Sequence, residues 1–362
     1  MNGEGSFNSS QVVITEKLSS QGYMATGIYL TVLGTVALFG NTCVILVVLI
    51  KRMLCKSFNH LILNLALADL CVGVIAYPMT AASGFAERWL FGEFGCIFSA
   101  YIIFLLSMVS INTMLVIAIF RYTFVCKPQY NYLTNVEYMK FVIGGIWGHA
   151  FIWTSLPLVG WSSYTLEPYG TSCTLNWQGT TLSDISYSIS SLVTCYIIHI
   201  VIITFCYVKI TFKARSLRFG LTSNERFLEM EKLLVFQKMQ VERNVTLICI
   251  VMVISYLTVW TPYALFSLLS VLRIKVPIAA SCLPTMFAKL SCALNPIIYT
   301  VGSSRFRHAL ASVMPCCRPS SRLRTRSGAR KYRHTRFTTI VNTNDSCVGH
   351  DQVRTSIAGR NK

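Results

Sequence analysis

The chain has 362 residues, 53% of them hydrophobic and 13% charged, with a mean hydropathy of +0.54. That composition excludes a pair of soluble domains, in which about 25% of residues are charged. A net charge of +18 would suit nucleic acid, but the cations cluster in short connections and a tail, where membrane topology and anionic lipid call for them. Nucleic acid is not an expected partner; membrane lipid is.

Residues 1–20 contain no basic segment followed by an apolar run, so no cleavable leader is expected and the first span itself directs insertion. Asn8-Ser9-Ser10 fits the N-glycosylation pattern. A bilayer core takes about 20 apolar residues per helix. Blocks of that kind occupy 26–50, 58–82, 94–125, 138–160, 185–210, 244–272 and 277–301, predicting an all-α bundle of seven transmembrane helices. Expected domain bounds are an extracellular segment at 1–25, the bundle at 26–301, an amphipathic helix at 302–315 and a basic, largely disordered cytoplasmic tail at 316–362.

Orientation follows from cations, which are retained on the cytoplasmic side. Lys51, Arg52 and Lys56 follow the first span; Arg121 and Lys127 follow the third; Lys209, Lys213, Arg215, Arg218, Arg226, Lys232 and Lys238 follow the fifth. The amino end is therefore expected outside and the carboxyl end inside. Leu228, Leu233 and Phe236 recur at helical spacing, which predicts that the fifth and sixth helices extend inward. After the seventh span, Phe306, Leu310 and Val313 share one face of a short eighth helix, and Cys316 and Cys317 follow at inner-leaflet depth as candidate palmitoylation sites.

Charged or strongly polar residues within spans ask for a partner or a job. Asn41, Asp69 and Asn295 fit two readings equally: hydrogen bonds that hold the bundle together, or a hydrated switch network. Arg121 closes the third span. Lys289 lies about 12 residues, roughly 18 Å, from either end of its span, too deep for snorkelling. It pairs with an acid, is neutralised by desolvation, or is covalently modified. Pro262 and Pro296 remove backbone hydrogen bonds in the sixth and seventh spans and permit kinks. Cys96 and Cys173 both fall on the oxidising side and predict a disulfide tying the loop after the fourth span over the bundle. No spacing resembles a metal site and no hydrolase motif is present, so an enzyme is not expected.

Gly40-Asn41, LALADL ending at Leu70, Cys96 with Cys173, Arg121-Tyr122, Trp260-x-Pro262-Tyr263 and Asn295-Pro296-x-x-Tyr299 together resemble the rhodopsin-like G-protein-coupled receptors. FAKLSCALNPIIY, with Lys289 six residues before Asn295, looks like the retinal-attachment signature of opsins. YPMTAASG from Tyr77 and EPYGTSCTLNW from Glu167 resemble the non-visual peropsin and neuropsin types. The resemblance implies a photopigment holding retinal, 11-cis or all-trans, as a Schiff base on Lys289, with Glu167 as counterion and Trp260, Tyr263 and Trp177 against the polyene. The third-span counterion position of visual pigments is Ser99, which carries no charge. A heterotrimeric G protein would be engaged through an activation switch of Arg121, Tyr122, Glu242, Asp69, Asn295, Pro296 and Tyr299, with arrestin and a receptor kinase at the tail and the plasma membrane as location.

Two positions depart from the family pattern. Phe120 replaces the acid before Arg121, leaving Glu242 as the remaining lock partner, so a weakly held inactive state is expected. His199 stands where the family usually has a fifth-span proline, and a straighter fifth helix is expected. The alternative to a signalling receptor is a retinal photoisomerase with little or no G-protein coupling.

Overall fold

The computed structural model describes residues 18–51, 57–223, 229–274 and 276–313. Four long helices come first: α1 (Ser20–Ile50), α2 (Ser57–Phe85), α3 (Gly92–Cys126) and α4 (Val136–Ser155). The first begins at Ser19, whose hydroxyl accepts the Gly22 N–H at 3.1 Å, and α4 begins at Asn135, which caps Val136, both residue types that satisfy free helix-start amides. A short hairpin, β1 (Tyr164–Leu166) and β2 (Cys173–Leu175), is paired antiparallel with Leu166 opposite Cys173. The fifth span consists of α5 (Leu182–Leu192), a π turn (Val193–Ile197) and α6 (Ile198–Ser223). Next come α7 (Glu229–Val271), α8 (Ile278–Lys289), α9 (Ser291–Gly302) and α10 (Ser304–Val313).

Among the described residues, six helical segments are long and apolar enough to cross a bilayer. The seventh expected span is two 12-residue helices, α8 and α9, divided at Leu290. At 1.5 Å per residue the two together reach about 37 Å, enough for a hydrocarbon core of about 30 Å. Large apolar side chains face outward as well as inward: Phe39, Phe141, Phe151, Ile152 and Val201 are exposed, as a helix surrounded by lipid requires. The buried core runs through Leu33 and Val44 of α1, Leu65 of α2, Val109 and Ile117 of α3, Met252 of α7 and Ala293 of α9. Gly40 lets α1 approach α9: a Cβ there would lie 2.7 Å from Pro296 Cγ, so any larger residue would force the helices apart.

The fifth span, expected as a straighter helix, is interrupted by a π turn. Its π turn ends two residues before His199, whose Nδ1–H donates to Thr194 O at 3.0 Å while Nε2 meets Asn112 Oδ1 of α3 at 2.9 Å. The imidazole thus takes up a carbonyl of the widened turn and ties it to α3. A π bulge of this kind commonly marks a functional site. The expected helical extension of the fifth and sixth spans is present, since α6 runs to Ser223 and α7 starts at Glu229. The expected eighth helix is α10, with Phe306 packed on the core and its ring 6.1 Å from that of Tyr299. Asn8, Cys316 and Cys317 lie outside the described residues.

Candidate functional site

Lys289 ends α8, and its side chain is buried, 7% exposed. It opens into a cavity walled by α3, α5, the π turn, α7 and α8 and closed by the β hairpin; Glu167, Trp177, Trp260, Tyr263 and Lys289 all line it. The site residues expected from the sequence at this level therefore converge, although they are spread over more than 100 positions.

The hairpin is held down covalently, because Cys173 at the start of β2 is disulfide-bonded to Cys96 of α3, with Cα atoms 5.4 Å apart. It is also held by hydrogen bonds. Glu167 N–H donates to Ser172 O and Gly170 N–H to Glu167 O, each at 2.8 Å, closing a tight turn whose Gly170 has φ +78°, a conformation that suits glycine. Tyr23 of α1 donates its hydroxyl to Tyr169 O at 3.0 Å. The turn carries Glu167 inward until it is 3% exposed, and Thr285 of α8 donates to its Oε1 at 3.4 Å. Burial pushes the Glu167 carboxyl up to about 7, against the lowering effect of the Lys289 charge.

Lys289 Nζ donates to Ser172 Oγ at 3.1 Å. The far wall is aromatic. Trp260 stacks on Tyr256 with centroids 5.5 Å apart and meets Tyr263 edge-on at 5.9 Å. Tyr263 Oη joins the sixth span to the lid, accepting from Trp177 Nε1 at 2.6 Å and sharing a 2.6 Å hydrogen bond with Thr174 Oγ1. Phe104, Cys195 and Tyr196 complete an apolar wall beside it. Ser99 is fully buried but does not line the cavity, so α3 presents no carboxylate there among the described residues.

A second polar group lies below. Asp69 accepts from Asn295 Nδ2 at 2.8 Å and from Ser110 Oγ at 3.2 Å, and Asn41 Nδ2 donates to Cys292 O at 2.9 Å. Asn41, Asp69 and Asn295 are thus all engaged in hydrogen bonds between helices. At the end of α3, Arg121 is buried and donates to Thr246 Oγ1 of α7 at 2.9 Å, with Phe124 beneath the guanidinium at 5.7 Å. Glu242, one turn earlier on α7, lies outside the residues whose side chains are described. Tyr122 packs near Phe205 with centroids 5.8 Å apart.

The pattern described as "7 transmembrane receptor (rhodopsin family)" matches residues 40–299. The chain belongs to the rhodopsin family of seven-transmembrane receptors. Its relatives are opsins: it is 34% identical over 300 residues to "Rhodopsin, G0-coupled" of Mizuhopecten yessoensis, covering 82% of this chain and 74% of that one. Mouse (Mus musculus) Opsin-5 is 31% identical over 294 residues, covering 80% of this chain and 76% of that protein. Mouse "Visual pigment-like receptor peropsin" is 30% identical over 291 residues, covering 80% and 83%. The crystal structure of squid rhodopsin superposes with a TM-score of 0.79 at 27% identity, covering 84% of this chain and 90% of that one. This opsin is an integral, multi-pass membrane receptor and not an enzyme.

Four residues of the opsin's site escaped the sequence reading: Thr285, Tyr77 and Tyr256, which line the cavity, and Ser172, which meets Lys289 Nζ. Signals for three existed. Thr285 precedes Lys289 by four residues on one helix face, Ser172 adjoins the pinned Cys173, and Tyr256 precedes Trp260 by four. Tyr77 heads the YPMTAASG segment, but nothing in that pattern assigns it to the cavity.

Proposed function

We propose that this opsin binds retinal on Lys289 and serves as a light-activated, non-visual receptor for a heterotrimeric G protein. The observation that carries the reading is the shared cavity of a buried lysine and a buried lid carboxylate, Glu167, facing an aromatic wall. The residues fit the ligand: one amine at one end, apolar and aromatic surfaces along the length, and one acid to balance a buried cation. Retinal, joined to Lys289 as a Schiff base, supplies light absorption and a double bond that isomerises when excited.

The chain's own residues do the rest. Ser172 orients Nζ, Glu167 holds negative charge within the dry site, and the Cys96–Cys173 bridge keeps the hairpin closed against water. Trp260 and Tyr263 sense a change of ligand shape and pass it to α7, whose packing against Arg121 differs between the resting and signalling states. A ligand shifts such an equilibrium only by its differential fit to the two packings. Arg121, Tyr122 and Tyr299 face the G protein, assisted by the inward extensions of α6 and α7. The amino end with Asn8 glycosylated lies outside the plasma membrane, Cys316 and Cys317 carry palmitate on inner-leaflet lipid, and arrestin and a receptor kinase act on the tail.

The test is the absorption spectrum of the purified protein with 11-cis and with all-trans retinal, dark and illuminated, beside Lys289→Ala, followed by nucleotide exchange on the same samples. A lysine-dependent, light-responsive pigment that drives exchange is expected; no pigment with either isomer refutes the reading. Phe120 favours one competing outcome, a pigment silent in exchange. That result would mark a retinal photoisomerase.

A further inference from the structure

The division of the seventh span at Leu290 leaves carbonyls that an intact helix would satisfy. Leu290 N–H bonds to Phe287 O at 3.0 Å and Ala293 N–H to Leu290 O at 3.1 Å. Both bonds span three residues instead of the four of an α-helix. Met286 O and Lys289 O thereby lose their ordinary donors, Leu290 and Ala293. In addition, Pro296 has no N–H for Cys292 O. Every one of these carbonyls is met by a side chain from α1 or α2. Tyr29 Oη donates to Met286 O at 3.0 Å, Tyr77 Oη donates to Lys289 O, and Asn41 Nδ2 donates to Cys292 O at 2.9 Å. Ala288 O, between them, takes the hydroxyl of Ser291 at 2.8 Å.

A buried carbonyl without a donor is costly, so the broken helix persists only while these donors are present. Tyr77 is fully buried and its ring lines the same cavity as Lys289 Nζ. Its hydroxyl is thus fixed at the main chain of the lysine while its ring borders the space into which that lysine projects. An i→i+3 turn advances the chain with a different rotation per residue from an α turn. Restoring regular helix across Leu290 would turn the Lys289 side chain relative to Ser172 and Glu167.

We infer that Tyr77 and Tyr29 form a hydroxyl clasp that holds the seventh span in its broken form and so positions Lys289 to react with a retinal aldehyde. They are positioning residues; neither hydroxyl touches Nζ. The inference rests on the retinal reading for its biological meaning, but the placement of Nζ can be measured without retinal.

The experiment is reductive trapping of butanal on Lys289 in the full-length, ligand-free protein with cyanoborohydride, quantified by peptide mass spectrometry, for the parent, Tyr77→Phe, Tyr29→Phe, Tyr187→Phe and Lys289→Ala. Tyr187→Phe removes the hydroxyl of a buried tyrosine that does not line the cavity and that donates to Trp153 O, and so reports a merely structural loss. Trapping at position 289 is expected to fall at least about threefold in Tyr77→Phe and about twofold in Tyr29→Phe, in step with slower pigment formation and a shifted absorption maximum, while Tyr187→Phe traps at the parent rate. If Tyr77→Phe does not accumulate in folded form, Tyr29→Phe carries the test alone. Parent-like trapping in every folded tyrosine variant overturns the clasp. If the parent traps butanal but forms no pigment, the retinal reading fails while the trapping ratios still decide the clasp.

Discussion

Lys289 Nζ and Ser172 Oγ meet at 3.1 Å although they are 117 positions apart. The lysine comes from a helix that breaks one residue later and the serine from a hairpin pinned to α3. Ser172 also accepts the Glu167 N–H through its own carbonyl, so the residue that contacts the amine also fixes the turn presenting the acid. Displacing the hairpin would therefore change both the amine's contact and its charge balance.

The pH response of the ligand-free protein should report Glu167. Burial raises its carboxyl from 4.5 to about 7. The folded chain holds a proton there that the unfolded chain releases, so the stabilising contribution is full below about pH 4.5 and is lost as pH rises through about 7. Thermal midpoints measured from pH 5 to 8 should decline with rising pH, and Glu167→Gln should abolish about half of that decline or more. An unchanged slope in the variant would show that the carboxyl titrates normally.

Tyr263→Phe should loosen the lid. The hydroxyl serves both Trp177 Nε1 and Thr174 Oγ1, and each buried group left without a partner costs about 1–3 kcal/mol. Hydroxylamine should bleach the dark pigment roughly tenfold faster than in the parent. Parent-like bleaching would mean that the Cys96–Cys173 bridge alone keeps the lid shut.

His199 and Asn112 should couple. The imidazole bridges Thr194 O and Asn112 Oδ1, and Asn112 Nδ2 continues to His149 Nδ1 at 3.1 Å. His199→Ala and Asn112→Ala should each destabilise the protein by about 1–3 kcal/mol, with a double variant well short of the sum, because either change breaks the same link. Additive losses in thermal or chemical unfolding would show the contacts to be independent.

Phe120→Glu should quieten the dark receptor. Phe120 is half-buried with its ring 6.2 Å from Phe58, next to Arg121, where an acid could pair with the guanidinium. A pair of this kind contributes about 0.5–1 kcal/mol, so dark nucleotide exchange should fall about two- to fivefold. A rise or no change would separate Phe120 from control of the resting state.

The spans, the buried lysine and the aromatic positions were legible because each is a local property. Length and hydropathy report a bilayer crossing residue by residue, and a cation in the middle of 277–301 is conspicuous wherever the helix packs. The absent fifth-span proline points to a straighter helix and gives no sign of the π turn. The π turn is sustained by a side-chain contact to Asn112, 87 positions away, which periodicity does not encode.

The sequence by itself determined that this chain crosses the membrane and carries a lysine with no ordinary reason to be there. It did so through the cost of placing charge in hydrocarbon, which depends on composition over one helix length. Only the tertiary structure decided which groups surround that lysine. Ser172 and Glu167 reach it through a hairpin fixed by a disulfide, and the break at Leu290 is held open by hydroxyls from α1 and α2. Those contacts depend on how separate helices pack, and a pattern within one segment carries no record of the neighbour it will meet.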